Sequence, residues 1–189
     1  MMNESRAIKI SKFLSYHLRH RPDKIGLELG PGGWVSVDEL LAASKKHSFD
    51  IDRDELNEVV ASNDKKRFSF NSAGTLIRAN QGHSLEVDLQ LEEAVPPKVL
   101  YHGTGQGAVK SIMQMGLSKM SRHHVHLSVN MATAIKVGKR HGRPVVFAVN
   151  AAAMHQAGHK FYCSNNGVWL VDHVPSEYLQ ISDLKNRNV

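Results

Sequence analysis

Ile10, Phe13, Leu14, His17 and Leu18 recur at three- and four-residue steps, the period of one face of a helix. Pro22 restricts the backbone before it, so this helix is predicted to stop near Arg19 and His20. Ser36-Val37-Asp38-Glu39 and Asp52-Arg53-Asp54-Glu55 each set a capping oxygen three residues ahead of a Glu. That pattern predicts helices running to about His47 and about Ser62. Next, Arg67-Phe68-Ser69-Phe70 and Thr75-Leu76-Ile77-Arg78 are short β-type runs joined by Asn71-Ser72-Ala73-Gly74, residues suited to a turn. Helices followed by a hairpin match a winged-helix module. A charged segment ending in Pro96-Pro97-Lys98 resists both helix and sheet. It divides the chain into a first domain over 1–93, a linker over 94–98 and a second domain over 99–189. In that second part, Val99-Leu100-Tyr101-His102, His124 to Ser128, Val145 to Val149 and Val168 to Val171 read as strands. Helical segments are predicted between them near 107–115 and 130–141, so the expected class is α+β.

Composition adds a partner class. With 24 Lys and Arg against 18 Asp and Glu, the net charge is +6, which favours a polyanion over a cation. Cys163 is the only cysteine, which excludes an intrachain disulfide and thiolate-rich zinc sites and fits a reducing compartment. No stretch approaches the apolar length of a signal peptide or a membrane span, so a cytoplasmic, membrane-free protein is expected.

Several clusters could carry chemistry, and each has a plain alternative. Arg19-His20-Arg21 collects basic side chains at a helix end, where cations are also favoured by the helix dipole on an ordinary solvated surface. Asp64-Lys65-Lys66-Arg67 opens the hairpin and reads equally as a charged edge strand. Gln81-Gly82-His83-Ser84 offers an amide, an imidazole and a hydroxyl to phosphate or sugar oxygens, or is simply a polar turn. His102-Gly103-Thr104-Gly105 follows an apolar strand and precedes a helix. Its glycines could bring backbone N–H groups close to a nucleotide, or could serve a strand-to-helix turn. His124 and His126 point to one face of a strand, with Arg122 just before it. Zinc competes for such a pair, but no Cys or acidic partner accompanies it and the adjacent arginine disfavours a second cation, so no metal is expected.

Taken together, Ser11 to Ser15 with Leu18-Arg19-His20, Gly33-Trp34, Asp64 to Phe68, Arg78-Ala79 with Gln81 to Ser84, Leu100 to Thr104, His124 to Ser128 and Asn166 to Leu170 resemble the NAD-dependent RNA 2′-phosphotransferases. The likeness spans roughly residues 10 to 180. It implies a winged-helix N-lobe, a C-lobe of the ADP-ribosyltransferase fold, and RNA bearing a 2′-phosphate, tRNA among them, as substrate of a monomer. It further implies a catalytic quartet of Arg19, His20, Arg67 and Arg122. NAD contacts are implied at His102, Gly103, Thr104, His126, Ser128 and Val168. Lys66, Gln81, His83 and Ser84 are expected to hold RNA.

In the implied reaction the RNA 2′-phosphate attacks the ribose carbon of NAD that bears nicotinamide, and the neighbouring ribose hydroxyl then attacks phosphorus. The products are 2′-OH RNA, nicotinamide and ADP-ribose 1″,2″-cyclic phosphate. A phosphomonoester arrives already ionised, so the site needs arginines to hold a dianion and a histidine to protonate the departing RNA oxygen. Many protein ADP-ribosyltransferases carry a glutamate late in the C-lobe, whereas the corresponding stretch here holds Val168, which fits a phosphate acceptor. Two rivals remain. One is an ADP-ribosyltransferase that caps terminal phosphates of RNA or DNA. The other is a non-catalytic winged-helix binder of nucleic acid, consistent with the basic first half alone.

Overall fold

The computed structural model describes residues 2–62 and 66–182, so Asp64 and Lys65 of the basic run lie outside the described residues, as do 183–189. The chain divides into two compact units, Met1–Gln90 and Leu91–Val189. Both mix helix and strand, as an α+β chain should.

In the first unit, α1 (Glu4–Arg19) begins where the Asn3 side chain accepts from the Ser5 amide at 2.8 Å, and it buries Ile10, Leu14, His17 and Leu18. That is the face its periodicity predicts. A short strand, β1 (Val35–Ser36), leads into α2 (Val37–Lys46), and α3 (Arg53–Ser62) follows. The capping box at α3 is reciprocal: Glu55 N–H donates to Asp52 Oδ1 at 2.8 Å, and Asp52 N–H donates to Glu55 Oε2 at 3.3 Å. At α2 only the forward half forms, Glu39 N–H to Ser36 Oγ at 3.4 Å. Strands β2 (Phe68–Phe70) and β3 (Leu76–Ala79) make the hairpin, and β1 completes an antiparallel sheet in the order β1-β3-β2. The Asn71 side chain closes the turn by accepting from Leu76 N–H at 2.9 Å. Leu14, Leu18, Leu40, Leu56 and Ile77 are wholly buried in one core beneath these elements.

The second unit contains β4 (Leu100–Gly105), α4 (Val109–Met115), β5 (Leu117–Ser118), β6 (Val125–Leu127), α5 (Met131–Gly138), β7 (Pro144–Val149), α6 (Ala151–Gln156), β8 (Tyr162–Cys163), β9 (Trp169–Val171), β10 (His173–Val174) and β11 (Leu179–Ile181). They form antiparallel sheets ordered β11-β7-β4, β6-β9-β8 and β10-β5. A bridge between Tyr101 and Ser128 ties the first of these to the second. Phe147, Phe161 and Met154 are wholly buried in the unit's core. The segment after the boundary belongs here: Ala94 N–H donates to the Phe161 carbonyl at 2.8 Å, and Lys160 pairs with Glu93 at 3.2 Å. No helix among the described residues is long and apolar enough to cross a membrane.

One sequence reading is corrected. His102 to Gly105 is not a turn between strand and helix; the strand runs on to Gly105, pairing Gly103 with Val146, Thr104 with Val145 and Gly105 with Pro144. The glycines serve packing on the opposite side. A Cβ on Gly103 would lie 1.7 Å from the Ala134 carbonyl oxygen, and one on Gly105 would lie 2.2 Å from that of His141. Backbone of α5 and of the 3₁₀ turn after it (Lys139–His141) rests directly on β4, and only glycine permits that approach.

Candidate functional site

In the first unit, three stretches abut where α1 ends. The His20 amide caps the helix by donating to the Tyr16 carbonyl at 3.0 Å. The buried His17 imidazole donates from Nδ1 to the Arg21 carbonyl at 3.0 Å, fixing the chain as it turns toward Pro22. The 81–84 stretch lies against this end. Ser84 N–H donates to the Arg19 carbonyl at 3.0 Å, and Ser84 Oγ is 2.8 Å from His20 Nδ1. Gly82 has φ +89°, and a Cβ there would come to 3.6 Å from Arg19 Nη1, so the turn runs beside the guanidinium. The half-buried Arg19 also lies over Phe68, with Cζ 5.9 Å from the ring centroid.

Asn80 draws in the third stretch. Only 4% exposed, it donates through its backbone N–H to the Arg67 carbonyl at 2.8 Å and through Nδ2 to the Lys66 carbonyl at 2.7 Å. Lys66 adopts a left-handed φ of +40°, uncommon for a residue with a side chain, and Asn80 grips its carbonyl. Thus Arg19, His20, Lys66, Arg67, Gln81 and Ser84 are gathered by backbone contacts at one locus. His20, Lys66 and Ser84 are exposed, while Arg67 and Gln81 are half-buried. His83 differs: it is 1% exposed, and its Nε2 lies 3.6 Å from where a Cβ on Gly33 would stand. Its ring packs inward, beneath the stretch that carries Gln81 and Ser84.

In the second unit the candidates gather around β4 and β6. Tyr101 and Ser128 exchange backbone hydrogen bonds at 2.8 and 2.9 Å, which brings the next residue, His102, to β6. There His102 Nδ1 donates to the His126 carbonyl at 3.1 Å. A carbonyl only accepts, so the His102 proton sits on Nδ1 and Nε2 of the neutral ring is an acceptor. Burial pushes the His102 pKa below its ordinary value, opposed by the His126 carbonyl and reinforced by the positive charges of Arg122 and His141. The neutral form is therefore favoured. Arg122, exposed in the loop before β6, donates from Nη1 to His126 Nδ1 at 3.5 Å. The Ser128 hydroxyl accepts from Asn130 N–H at 3.0 Å, and the Asn130 side chain in turn caps α5 through Ala132 N–H at 2.8 Å.

Val168 lies one residue before β9, whose Trp169 pairs with Leu127 and whose Leu170 pairs with His126. It is set by the 3%-exposed Ser164, whose Oγ accepts from Val168 N–H at 3.1 Å and donates to the Val168 carbonyl at 2.9 Å. Gly103 and Thr104 are buried inside β4, the strand that presents His102. An acceptor nitrogen on His102 and a cation at Arg122 are an acceptor and a donor suited to hydroxyl and anionic groups, whereas Val168, its N–H and carbonyl held by Ser164, offers an apolar side chain. Among the described residues no group of three or more His, Cys, Asp or Glu side chains could hold a metal ion.

Sequence reasoning overlooked Asn80 and Ser164, which hold candidate residues in place. Asn80 neighbours the Gln81 stretch without any pattern that marks it, since its partners are backbone carbonyls more than a dozen residues away. His17 was visible as a helix-face position, but its bond to Arg21 was not.

Comparison with known proteins gives one consistent answer. The profile of the family described as RNA 2′-phosphotransferase, Tpt1 / KptA family, matches residues 5–173. A Nostoc punctiforme protein described as "Probable RNA 2'-phosphotransferase" is 69% identical over 179 residues, covering 95% of this chain and 99% of its own. Proteins of the same description from Streptomyces coelicolor and Burkholderia pseudomallei are 54% and 49% identical, covering 95% and 92% of this chain and 97% and 95% of their own.

Proposed function

The chain belongs to the RNA 2′-phosphotransferase family, and from that premise we propose that it transfers an internal 2′-phosphate of RNA to NAD, leaving a 2′-OH. On this reading the first unit is a winged-helix lobe and the second an ADP-ribosyltransferase-like lobe. The products besides RNA are nicotinamide and ADP-ribose 1″,2″-cyclic phosphate. A tRNA splice junction is the substrate type that fits an internal 2′-phosphate.

The observation that carries the reading is the locus in the first unit, where Arg19 and His20 are clamped to Ser84 while Asn80 holds Lys66 and Arg67 alongside. Arginines bind a phosphate dianion by forked, permanently charged contacts, and they stabilise charge as the phosphoryl group transfers. Arg19, Arg67 and Arg122 take that role. His20 supplies the proton that the departing RNA 2′-oxygen requires, a task no arginine performs near neutral pH. Lys66, Gln81 and Ser84 hold the flanking RNA, and His83 supports them from within.

For NAD, the Nε2 lone pair of His102 accepts a ribose hydroxyl, and His126 and Ser128 line the same strand. Val168, in place of an acidic residue, closes the nicotinamide side. A nucleophile that arrives ionised needs no carboxylate base, which favours phosphate over a protein side chain as the attacking group.

A short RNA carrying an internal 2′-phosphate, incubated with and without NAD, tests the proposal. Phosphate loss and cyclic product are expected only with NAD. Arg67→Ala and Arg122→Ala should then accumulate RNA with ADP-ribose on its phosphate, because the second step demands the most charge stabilisation. Equal dephosphorylation without NAD sinks the reading. A stable ADP-ribosyl cap on a terminal phosphate, with no 2′-phosphate transfer, would instead support the capping activity, and failure to release nicotinamide with any RNA would support a non-catalytic binder.

A further inference from the structure

The face of α1 that leads to His20 carries a feature the phosphate chemistry does not use. Ile8, Lys12, Tyr16 and His20 follow one another at four-residue steps and so share one stripe of the helix. Tyr16 is 48% exposed. It is nonetheless the outer end of a packed file of rings. Phe49 stacks on Phe13 at 4.4 Å with 9° between planes, Phe13 meets His17 at 4.4 Å, and His17 meets Tyr16 edge-on at 4.9 Å. The His17 bond to the Arg21 carbonyl, at 3.0 Å, prevents that ring from swinging away.

The backbone couples Tyr16 to the site as well. Its carbonyl accepts from both His20 N–H at 3.0 Å and Arg21 N–H at 3.1 Å. The side chain of a helical residue leans over the turn before it, so Tyr16 leans toward Lys12, while His20 caps the helix one turn further on. Lys12 is exposed, and Arg21 is turned aside to Asp23, with Nη2 2.8 Å from Oδ2. The stripe therefore sets the His20 imidazole, an aromatic face and the Lys12 cation in succession. Proteins that bind single-stranded nucleic acid combine these groups, using rings to stack bases and cations to follow the backbone.

We propose that Tyr16 is a stacking platform for the base of a nucleotide next to the one whose 2′-phosphate is held at His20, with Lys12 placed for the following phosphodiester. This rests on the RNA 2′-phosphotransferase reading above, and it makes the substrate locally single-stranded, since a base inside a duplex is already stacked between its neighbours.

The test measures binding without NAD, so it does not depend on catalysis. Short RNAs with an internal 2′-phosphate are titrated intact or with an abasic site at the 5′ or the 3′ neighbour. Wild type should bind the intact RNA roughly tenfold more tightly than one of the abasic RNAs, the loss expected for a stacked base. Tyr16→Ala and Tyr16→Leu should lose that preference, and Tyr16→Phe, which keeps the ring, should retain it. Lys12→Ala should weaken intact and abasic RNAs alike and reduce the salt dependence of binding. Equal affinity of wild type and Tyr16→Ala for intact RNA overturns the proposal. So does a Tyr16→Phe protein that behaves like Tyr16→Ala, since the hydroxyl would then be the contact. The preference of wild type for RNA with a 2′-phosphate over RNA without one, measured in the same titration, reports on the functional reading separately.

Discussion

Ser84 combines two contacts that act on different parts of its neighbours. Its backbone N–H holds the Arg19 carbonyl at 3.0 Å, whereas its hydroxyl lies 2.8 Å from His20 Nδ1. The first contact survives any substitution other than proline, so replacing the side chain isolates the second. Loss of the hydroxyl removes one restraint on the orientation of the exposed His20 ring, and a proton donor out of line with its acceptor is a poor acid even when its chemistry is unchanged. Ser84→Ala should therefore lower kcat about tenfold, beyond any rise in KM from its contact with RNA, and Ser84→Thr, which keeps the oxygen, should recover most of the rate. A rise in KM with kcat preserved would show that Ser84 holds RNA without positioning His20. None of this coupling is written in the local sequence. Gln81 to Ser84 reads there as a string of polar groups, and its partners Arg19 and His20 lie some sixty residues earlier. The inward packing of His83 was equally hidden, because nothing in the residues around a histidine between a glycine and a serine marks it as buried.

At the scale of elements, the sequence was most readable where one face of a helix or one cap determines the outcome. The α1 stripe and the Asp52–Glu55 capping box are local, and both appear as their patterns require. Two-residue strands such as β5, β8 and β10 escaped because they carry too little periodicity and exist only through their partners. The reading of β4 failed for a related reason: glycines that let two backbones touch look the same in sequence as glycines that make a turn. Gly103 and Gly107 separate the two uses. A Cβ at Gly103 would meet the Ala134 carbonyl oxygen at 1.7 Å, whereas a Cβ at Gly107 finds nothing within 4 Å. Gly103→Ala must push α5 off β4 and should cost at least about 3 kcal/mol, the upper part of the range for overpacked sites. Gly107→Ala should change stability by less than about 1 kcal/mol. Chemical denaturation of both variants checks the contrast, and a Gly103→Ala protein as stable as Gly107→Ala would mean that α5 is not held against the strand as described.

For the whole molecule, half-buried histidines of the second unit link folding to pH in one direction. Burial pushes both His102 and His124 below the ordinary value of 6.5. For His102 the His126 carbonyl opposes the shift and the positive charges of Arg122 and His141 add to it; for His124 the Asp172 carboxylate opposes it and His123 and Lys119 add to it. Above about pH 6.5 neither state of the chain binds protons at these rings, so they give stability no slope with pH. As the pH falls below that value the unfolded chain takes up protons that the folded unit refuses, and stability declines until the folded values are reached. The same property suits the proposed NAD contact, because a protonated His102 would lose the Nε2 lone pair that accepts a ribose hydroxyl. Acidification should thus weaken folding first, and NAD binding only once the lowered folded value of His102 is reached, and a neutral residue able to keep the bond to the His126 carbonyl should remove the first effect. His102→Asn is expected to lose less thermal stability than wild type between about pH 7.5 and about pH 5, and His102→Asn combined with His124→Gln less still. Thermal midpoints recorded across that range decide the matter: parallel curves for wild type and both variants would place the acid sensitivity elsewhere in the chain.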